Sequence, residues 1–289
     1  MQTARSARKN LFVLIPEIIC LLLLAMRGKL CDNKSIRKIP GVWKMPRFFM
    51  AGTNIMGGMA IMRGRDAQHV QVLRLRPGED IIICDGRGTD YKCRLVKADK
   101  EQAEAEVVEV VKCPAEPSVK VTVMCGLPKG DKTDYIIQKC VEAGAYEIVF
   151  FEADRCVAKN KKDKEDKKLE RWNRISEEAA KQSGRGIIPK VSWANDLGEV
   201  FDIAVHKELA MFMYETGERE SMDKVLAGSR GIESAAIITG PEGGFAQFEV
   251  DLAKTVGLHI CSMGERILRC ETAPVVSLSA VMYATGNLG

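Results

Sequence analysis

Two short stretches of this chain carry residues able to do chemistry. In the first, the apolar run Ile237-Ile238-Thr239 breaks into Gly240-Pro241-Glu242-Gly243-Gly244-Phe245. In the second, Leu258 to Ser262 runs into Met263-Gly264-Glu265-Arg266-Ile267-Leu268-Arg269-Cys270-Glu271-Thr272. Glycine is used where backbone must take positive φ or lie against a ligand. Two glycine-broken loops, each leaving a strand, can form two walls of one pocket. Arg266 and Arg269 could then meet phosphate. On spacing alone, a tight surface turn accounts for Gly240 to Gly244 equally well. Thr272 can cap the helix that follows, with Pro274 in its first turn, and Glu271 suits the positive helix end. Neither GxGxxG nor GxxxxGK[ST] occurs, so a dinucleotide fold or P-loop is not indicated.

The elements that must position these loops follow from the periodicity. Val119–Leu127 reads as a buried strand, Thr133–Ala143 as a helix closed by Gly144, and Ile148–Phe151 as the next strand. That βαβ unit implies parallel pairing. Leu169–Ser183 is a helix stopped by Gly184. Strands are expected at 209–214, 235–239 and 258–262, and helices at 247–256 and 273–284. In open α/β sheets ligands sit outside the carboxyl ends of the strands. Upstream, Asp80–Cys84, Tyr91–Val96 and Ala103–Val111 read as short strands around an Asp-Gly turn signal. His69–Leu75 reads as one short helix, and together these make a small β-barrel. Cys113-Pro114-Ala115-Glu116-Pro117 is a two-proline linker.

Composition narrows the classes. The ten cysteines include no C-x-x-C pair, and the three histidines stand far apart. No metal site is therefore expected, and a reducing compartment suits the chain better than a disulfide framework. The net charge of +4 is misleading: residues 1–44 hold nine Lys/Arg against two acids, leaving 34 basic and 37 acidic residues of the chain's 43 and 39. Any contact with nucleic acid must rest on local patches. One such patch is Arg155 to Lys190, with twelve Lys/Arg against six acids. Lys159–Lys168 reads as a solvated loop. Arg171, Arg174, Lys181 and Arg185 ride on or just beyond a helix that turns Trp172, Ile175 and Ala179 inward.

Residues 11–26 form an apolar run behind Arg5, Arg8 and Lys9, which resembles a signal-peptide core. It is short for a membrane span, which takes about 20 residues, and it contains Pro16 and Glu17. The expectation is that Met45 is the start and that 1–44 is a non-native or dispensable extension.

Met45-Pro-Arg-Phe-Phe, Lys129-Gly-Asp-Lys, Ile137-Gln-Lys-Cys-Val-Glu-Ala-Gly, Ala180-Lys-Gln-Ser-Gly-Arg, Ile238-Thr-Gly-Pro-Glu-Gly-Gly-Phe and Met263-Gly-Glu-Arg-Ile-Leu-Arg-Cys-Glu-Thr-Ala resemble the ribosomal small-subunit methyltransferase E family. These are 16S ribosomal RNA (uracil-N3)-methyltransferases of the SPOUT superfamily. The resemblance covers 45–289. Cys270 is a departure, standing where many members have threonine. The resemblance implies an α/β fold: a PUA-like β-barrel over 45–117, and a SPOUT trefoil-knot domain with a parallel sheet over 118–289. It also implies a cytoplasmic homodimer that uses S-adenosylmethionine on 16S ribosomal RNA. The cofactor would lie against Thr239, Gly240, Pro241, Glu242, Gly243, Gly244, Met263, Gly264, Ile267 and Leu268. RNA contacts would fall to Arg47, Lys129, Arg155, Arg171, Arg174, Arg185 and Arg266. Uracil N3 must lose a proton to become nucleophilic, so Arg269 is the expected stabiliser of the anion and Glu271 a weaker candidate for proton removal. Two rivals stay open: a SPOUT enzyme acting on a ribose 2′-oxygen, and a non-catalytic RNA-binding protein.

Overall fold

The computed structural model describes residues 45–50, 55–159 and 165–288. The expectation for 1–44 lies outside the described residues. The first sheet holds β1 (Arg47–Phe49), β2 (Ile55–Met56), β3 (Met59–Arg63), β4 (Asp80–Cys84), β5 (Thr89–Ala98) and β6 (Gln102–Lys112). Its order is β1-β4-β5-β6-β3-β2. The expected barrel is thus a half-barrel, since β1 and β2 end the order without pairing to each other. Alternating strands turn Phe48, Met62, Ile81, Ile83 and Leu95 into its core. Helix α1 spans Arg65–Val72, starting earlier than the sequence suggests because Gly64, at φ 57°, makes the turn into it.

The second sheet is parallel throughout. It holds β7 (Lys120–Gly126), β8 (Glu147–Phe151), β9 (Lys190–Ala194), β10 (Leu209–Met213), β11 (Glu220–Ser221), β12 (Ser234–Thr239) and β13 (His259–Ser262). The order is β11-β13-β10-β12-β7-β8-β9. Every residue of β10, and all but the first of β12, is buried, as strands covered on both faces require. The helices are α2 (Lys132–Glu142), α3 (Glu165–Ser183), α4 (Leu197–Val205), α5 (Met222–Leu226), α6 (Gln247–Thr255) and α7 (Ala273–Ala284). Gly144 and Gly184 take positive φ just past α2 and α3, as predicted.

Two expectations change. Helix α3 begins at Glu165, so the basic stretch 159–168 is partly helical; its residues 160–164 lie outside the described residues. Lys168 covers the rings of Trp172 and Trp193 with its ammonium instead of standing in solvent. Strands β1, β2, β3, β9 and β11 and helices α4 and α5 are additions. After β13, at the far side of β10, the chain turns back and lays α7 against β12, β7 and α2. That return across strands already laid down is the path a trefoil-knot domain takes.

Candidate active site

Parallel pairing puts the loops after β7, β8, β10, β12 and β13 on one edge of the sheet. There the segments after β7, β10, β12 and β13 enclose a cavity of about 370 Å³, within the range of small-ligand sites.

One wall is the loop Gly240–Phe245. Thr239 is buried and its hydroxyl donates to the Met124 carbonyl. Pro241 then closes on β7. A Cβ on Gly126 would lie 2.5 Å from Pro241 Cδ, so only glycine lets the two strand ends come together. Gly244 makes the left-handed step at φ 63°, and Phe245 drives its ring between Phe212 and Phe151. Buried Glu249 accepts from the Ala246 N–H at 2.7 Å and the Asp154 N–H at 2.9 Å, which fastens the β8 loop beneath. This is a pinned wall, not a free surface turn. Gly240 itself does not use positive φ. What requires glycine there is space, because a Cβ would stand 3.2 Å from the Phe245 ring.

The second wall runs from Met263 to Ala273. Gly264 turns it at φ 91°, and its N–H donates to the Ser262 hydroxyl at 3.1 Å. Ser277 of α7 reaches the Met263 sulfur at 3.1 Å. Leu268 is half-buried, whereas Ile267 is 84% exposed although it lines the cavity. Thr272 does not cap α7 with its side chain. Its backbone N–H and that of Ala273 both donate to the Arg269 carbonyl, at 2.8 and 3.0 Å, so the loop closes on itself. Pro274 does sit in the first turn.

Between the walls stands Lys132, at the start of α2, which the sequence reading left without a role. Its ammonium lies 3.0 Å from Glu242 Oε1, 3.3 Å from Glu271 Oε2 and 3.6 Å from the Cys270 sulfur. The Lys129 backbone N–H also donates to Glu242. One cation thus ties the β7 loop to both glycine loops. Its bond to Glu242 holds the Lys132 ammonium well above its ordinary range. Burial pushes the Glu271 carboxyl up, but its own N–H, the Cys270 thiol and Lys132 pull it below the carboxylate range. Glu242 is balanced in the same sense, burial against the Lys129 N–H and Lys132. Burial, with Glu271 beside it, pushes the Cys270 thiol up to about 12, so it stays protonated.

Arg266 and Arg269 stand at the mouth. Arg269 is 82% exposed and 3.9 Å from Glu271 Oε1. Lys129 and Arg155 are exposed on the same edge, the latter 3.4 Å from the Gly243 carbonyl. Arg171 pairs with Asp134 of α2, while Arg174 is exposed with no carboxylate partner among the described residues. Two expected RNA contacts are corrected. Arg47, its side chain 8% exposed, forks onto Asp90 with two bonds of 2.6 Å. Arg185, 3% exposed, forks onto Glu116 and donates to the Val141 and Ala145 carbonyls. Both guanidiniums are spent inside the protein. Charge in a sequence does not tell which acid lies opposite; Glu116 in the linker is the only local hint.

The RNA methyltransferase domain model matches residues 115–282, and the RNA methyltransferase PUA domain model matches 63–108. The ribosomal RNA small subunit methyltransferase E of Bacillus subtilis is 36% identical over 77% of this chain and 89% of its own length. That of Mycobacterium bovis is 32% identical over 80% and 88%. Among solved structures, the same enzyme of Neisseria gonorrhoeae, bound to S-adenosyl methionine, superposes with TM-score 0.73 at 29% identity, covering 83% of this chain and 98% of that one. A Legionella pneumophila methyltransferase holding the cofactor SAM gives 0.73 at 26% identity over 84% and 99%. Half-barrel, knotted parallel sheet and glycine-walled cavity are therefore those of a PUA-like and a SPOUT domain, and the chain belongs to the ribosomal RNA small subunit methyltransferase E family.

Proposed function

We propose that this protein transfers a methyl group from S-adenosylmethionine to N3 of a uridine in 16S ribosomal RNA. The observation that carries the reading is the cavity between two glycine loops that Lys132 ties together. Its lining suits the cofactor. Backbone at Gly240 and Gly264, with the aliphatic surface of Met213, Met263, Leu268 and Ala273, can hold a flat neutral heterocycle. Thr239, Pro241, Glu242, Gly244 and Ile267 also line the cavity, whereas Gly243 is not on the lining and packs against Arg155. The cofactor supplies an electrophilic methyl on a sulfonium. The protein's own residues must deliver the nucleophile.

Uracil N3 lies on the Watson–Crick edge and carries a proton, so the base must be unpaired or extruded. Arg269 at the mouth is placed to meet the anion that forms as the proton leaves. Glu271 fits proton removal less well, because Lys132 holds it ionised and weakly basic. It is better suited to fixing Lys132. Lys129, Arg155, Arg174 and Arg266 offer cations to RNA phosphates around the same edge.

The protein acts as a homodimer in the cytoplasm on this reading. Helices α6 and α7 expose Phe248 (60%), Leu252 (44%), Val276 (41%) and Tyr283 (75%), apolar surface that a second copy would cover. Among the described residues no helix is long and apolar enough to cross a membrane. The half-barrel domain over 45–117 and the transferase domain over 118–289 carry these roles, with 1–44 dispensable. The test is nucleoside mass spectrometry of small-subunit RNA from a deletion strain. 3-Methyluridine should disappear and return on complementation. Loss of a 2′-O-methyl nucleoside instead would favour the ribose reading.

A further inference from the structure

A second cavity, of about 960 Å³, lies at the other ends of the same strands. Lys120, Glu147 and Lys190, which open β7, β8 and β9, line it, together with Arg87 of the β4–β5 connection and Lys112, which ends β6. Strand β7 runs seven residues from Lys120 to Gly126, which separates this cleft from the cofactor cavity by about 20 Å. It is more than twice as large as that cavity.

Its walls are fixed. The Gly88 N–H donates to the Gly186 carbonyl at 3.1 Å, and Arg87 bridges to Ile187. A Cβ on Gly186 would fall 2.5 Å from that of Cys113. Below, Glu116 is consumed by Arg185 and by the Gly186 and Ile187 N–H groups. Such a cleft is preformed and needs no ordering on binding.

Its chemistry is that of a polyanion site with a stacking platform. Arg87, Lys112, Lys120 and Lys190 are exposed, and none has a carboxylate partner among the described residues. With Glu116 spent, Glu147 is the one acid left on the lining among the described residues. Tyr146 exposes 40% of its surface on the lining, with the Lys120 ammonium 5.3 Å from its ring centroid. Unpaired cations that track a backbone, beside an exposed aromatic face, are the elements that bind single-stranded nucleic acid. We propose that this cleft binds a single-stranded stretch of RNA that flanks the target, stacking a base on Tyr146 while Arg87, Lys112, Lys120 and Lys190 neutralise phosphates. The inference rests on the RNA-methylating reading and adds an anchoring site remote from the reacting base.

The test uses the full-length protein and a short oligouridylate, with binding followed by fluorescence anisotropy across a potassium chloride series. Replacing Arg87, Lys112 and Lys120 together by Gln should lower the slope of log affinity against log salt by about 0.7 per lost contact. Tyr146→Leu should weaken binding about tenfold and Tyr146→Phe much less, because stacking needs only the ring. Cofactor affinity by calorimetry and the melting temperature should stay at wild-type values, which separates loss of a site from loss of fold. Wild-type affinity and slope in the triple variant would overturn the inference, and so would equal effects of Leu and Phe at 146. Failure of the enzymatic reading shows differently: 3-methyluridine would persist in the deletion strain while the cleft variants still lost RNA.

Discussion

Lys132 donates to Glu242 at 3.0 Å across 110 residues of sequence. The bond joins the loop after the first parallel strand to the glycine loop after β12. Through Glu271 it reaches the second glycine loop as well. The shape of the cavity between the walls therefore depends on a cation that belongs to neither wall.

Lys132→Met should loosen both walls at once. Its side chain is 35% exposed, so the loss is discounted to about 1 kcal/mol, or roughly fivefold in affinity. Isothermal calorimetry with S-adenosylmethionine reads it directly. Unchanged cofactor affinity would make the cluster a surface ornament.

The same cluster sets a pH window. Glu242 and Glu271 titrate below their usual value near 4.5 in the folded protein. Their stabilisation is thus fully present above that value and is lost as pH falls through the depressed folded values. Lys132 titrates above its usual 10.5. Its contribution is complete below 10.5 and is lost as pH rises through the elevated folded value. The cluster's own contribution to the melting temperature should be constant between these limits and fall outside them. In Lys132→Met the acid-side fall should be shallower; an identical acid limb would show that other carboxylates govern it.

Gly126→Ala should damage the site although Gly126 is not among the cavity's residues. The added Cβ would stand 2.5 Å from Pro241 Cδ and 2.7 Å from its nitrogen, which is backbone and cannot swing aside. Overpacking of this kind costs about 1–3 kcal/mol. Because the displaced atoms lead the glycine wall, cofactor affinity should fall with stability. Gly240→Val acts instead through Phe245 and should remove cofactor binding while leaving the parallel sheet folded. Circular dichroism alongside calorimetry separates the two cases.

How far the sequence carried this picture can be judged at particular residues. The glycine walls were legible through the family resemblance, because spacing alone suits a surface turn at Gly240 to Gly244 equally well. Most strand and helix bounds followed from period and from Gly144 and Gly184. Lys190–Ala194 escaped because KVSWA is short and mixes polar with apolar residues, and its burial comes from neighbours in the sheet. The Lys132 cluster escaped for a different reason. Its members are brought together by topology, and no local pattern marks three loops that meet at one strand edge. Arg47 and Arg185 were misread because a guanidinium looks the same in a sequence whether it faces phosphate or a buried Asp90 or Glu116.

Arg185 and Arg174 should accordingly behave in opposite ways. Arg185→Gln leaves Glu116, 11% exposed, without its charge partner, and breaking such a pair costs about 3–5 kcal/mol. Urea unfolding should show that loss. Arg174→Gln should leave the urea midpoint alone and reduce the salt slope of RNA binding by about 0.7 to 1. A normal midpoint for Arg185→Gln with weakened RNA binding would restore it as an RNA contact.

Arg269 is the residue on which the chemical step should depend. It is 82% exposed, and among the described residues its one carboxylate partner is Glu271 at 3.9 Å, which leaves its guanidinium open to a target base. A cation that meets the uracil anion in a site closed from water is worth a few kcal/mol. Arg269→Ala should then slow single-turnover methylation by about a hundredfold or more at saturating RNA and cofactor. Arg269→Lys should rescue little, because a point charge does not reproduce a planar fork. The contrary outcome is equally clear. If the saturated rate survives and only the RNA dissociation constant rises, Arg269 is a phosphate anchor like Arg266. The anion would then be met by another group at the mouth, with Lys132 the next to test, since among the described residues it is the cation bonded to both walls.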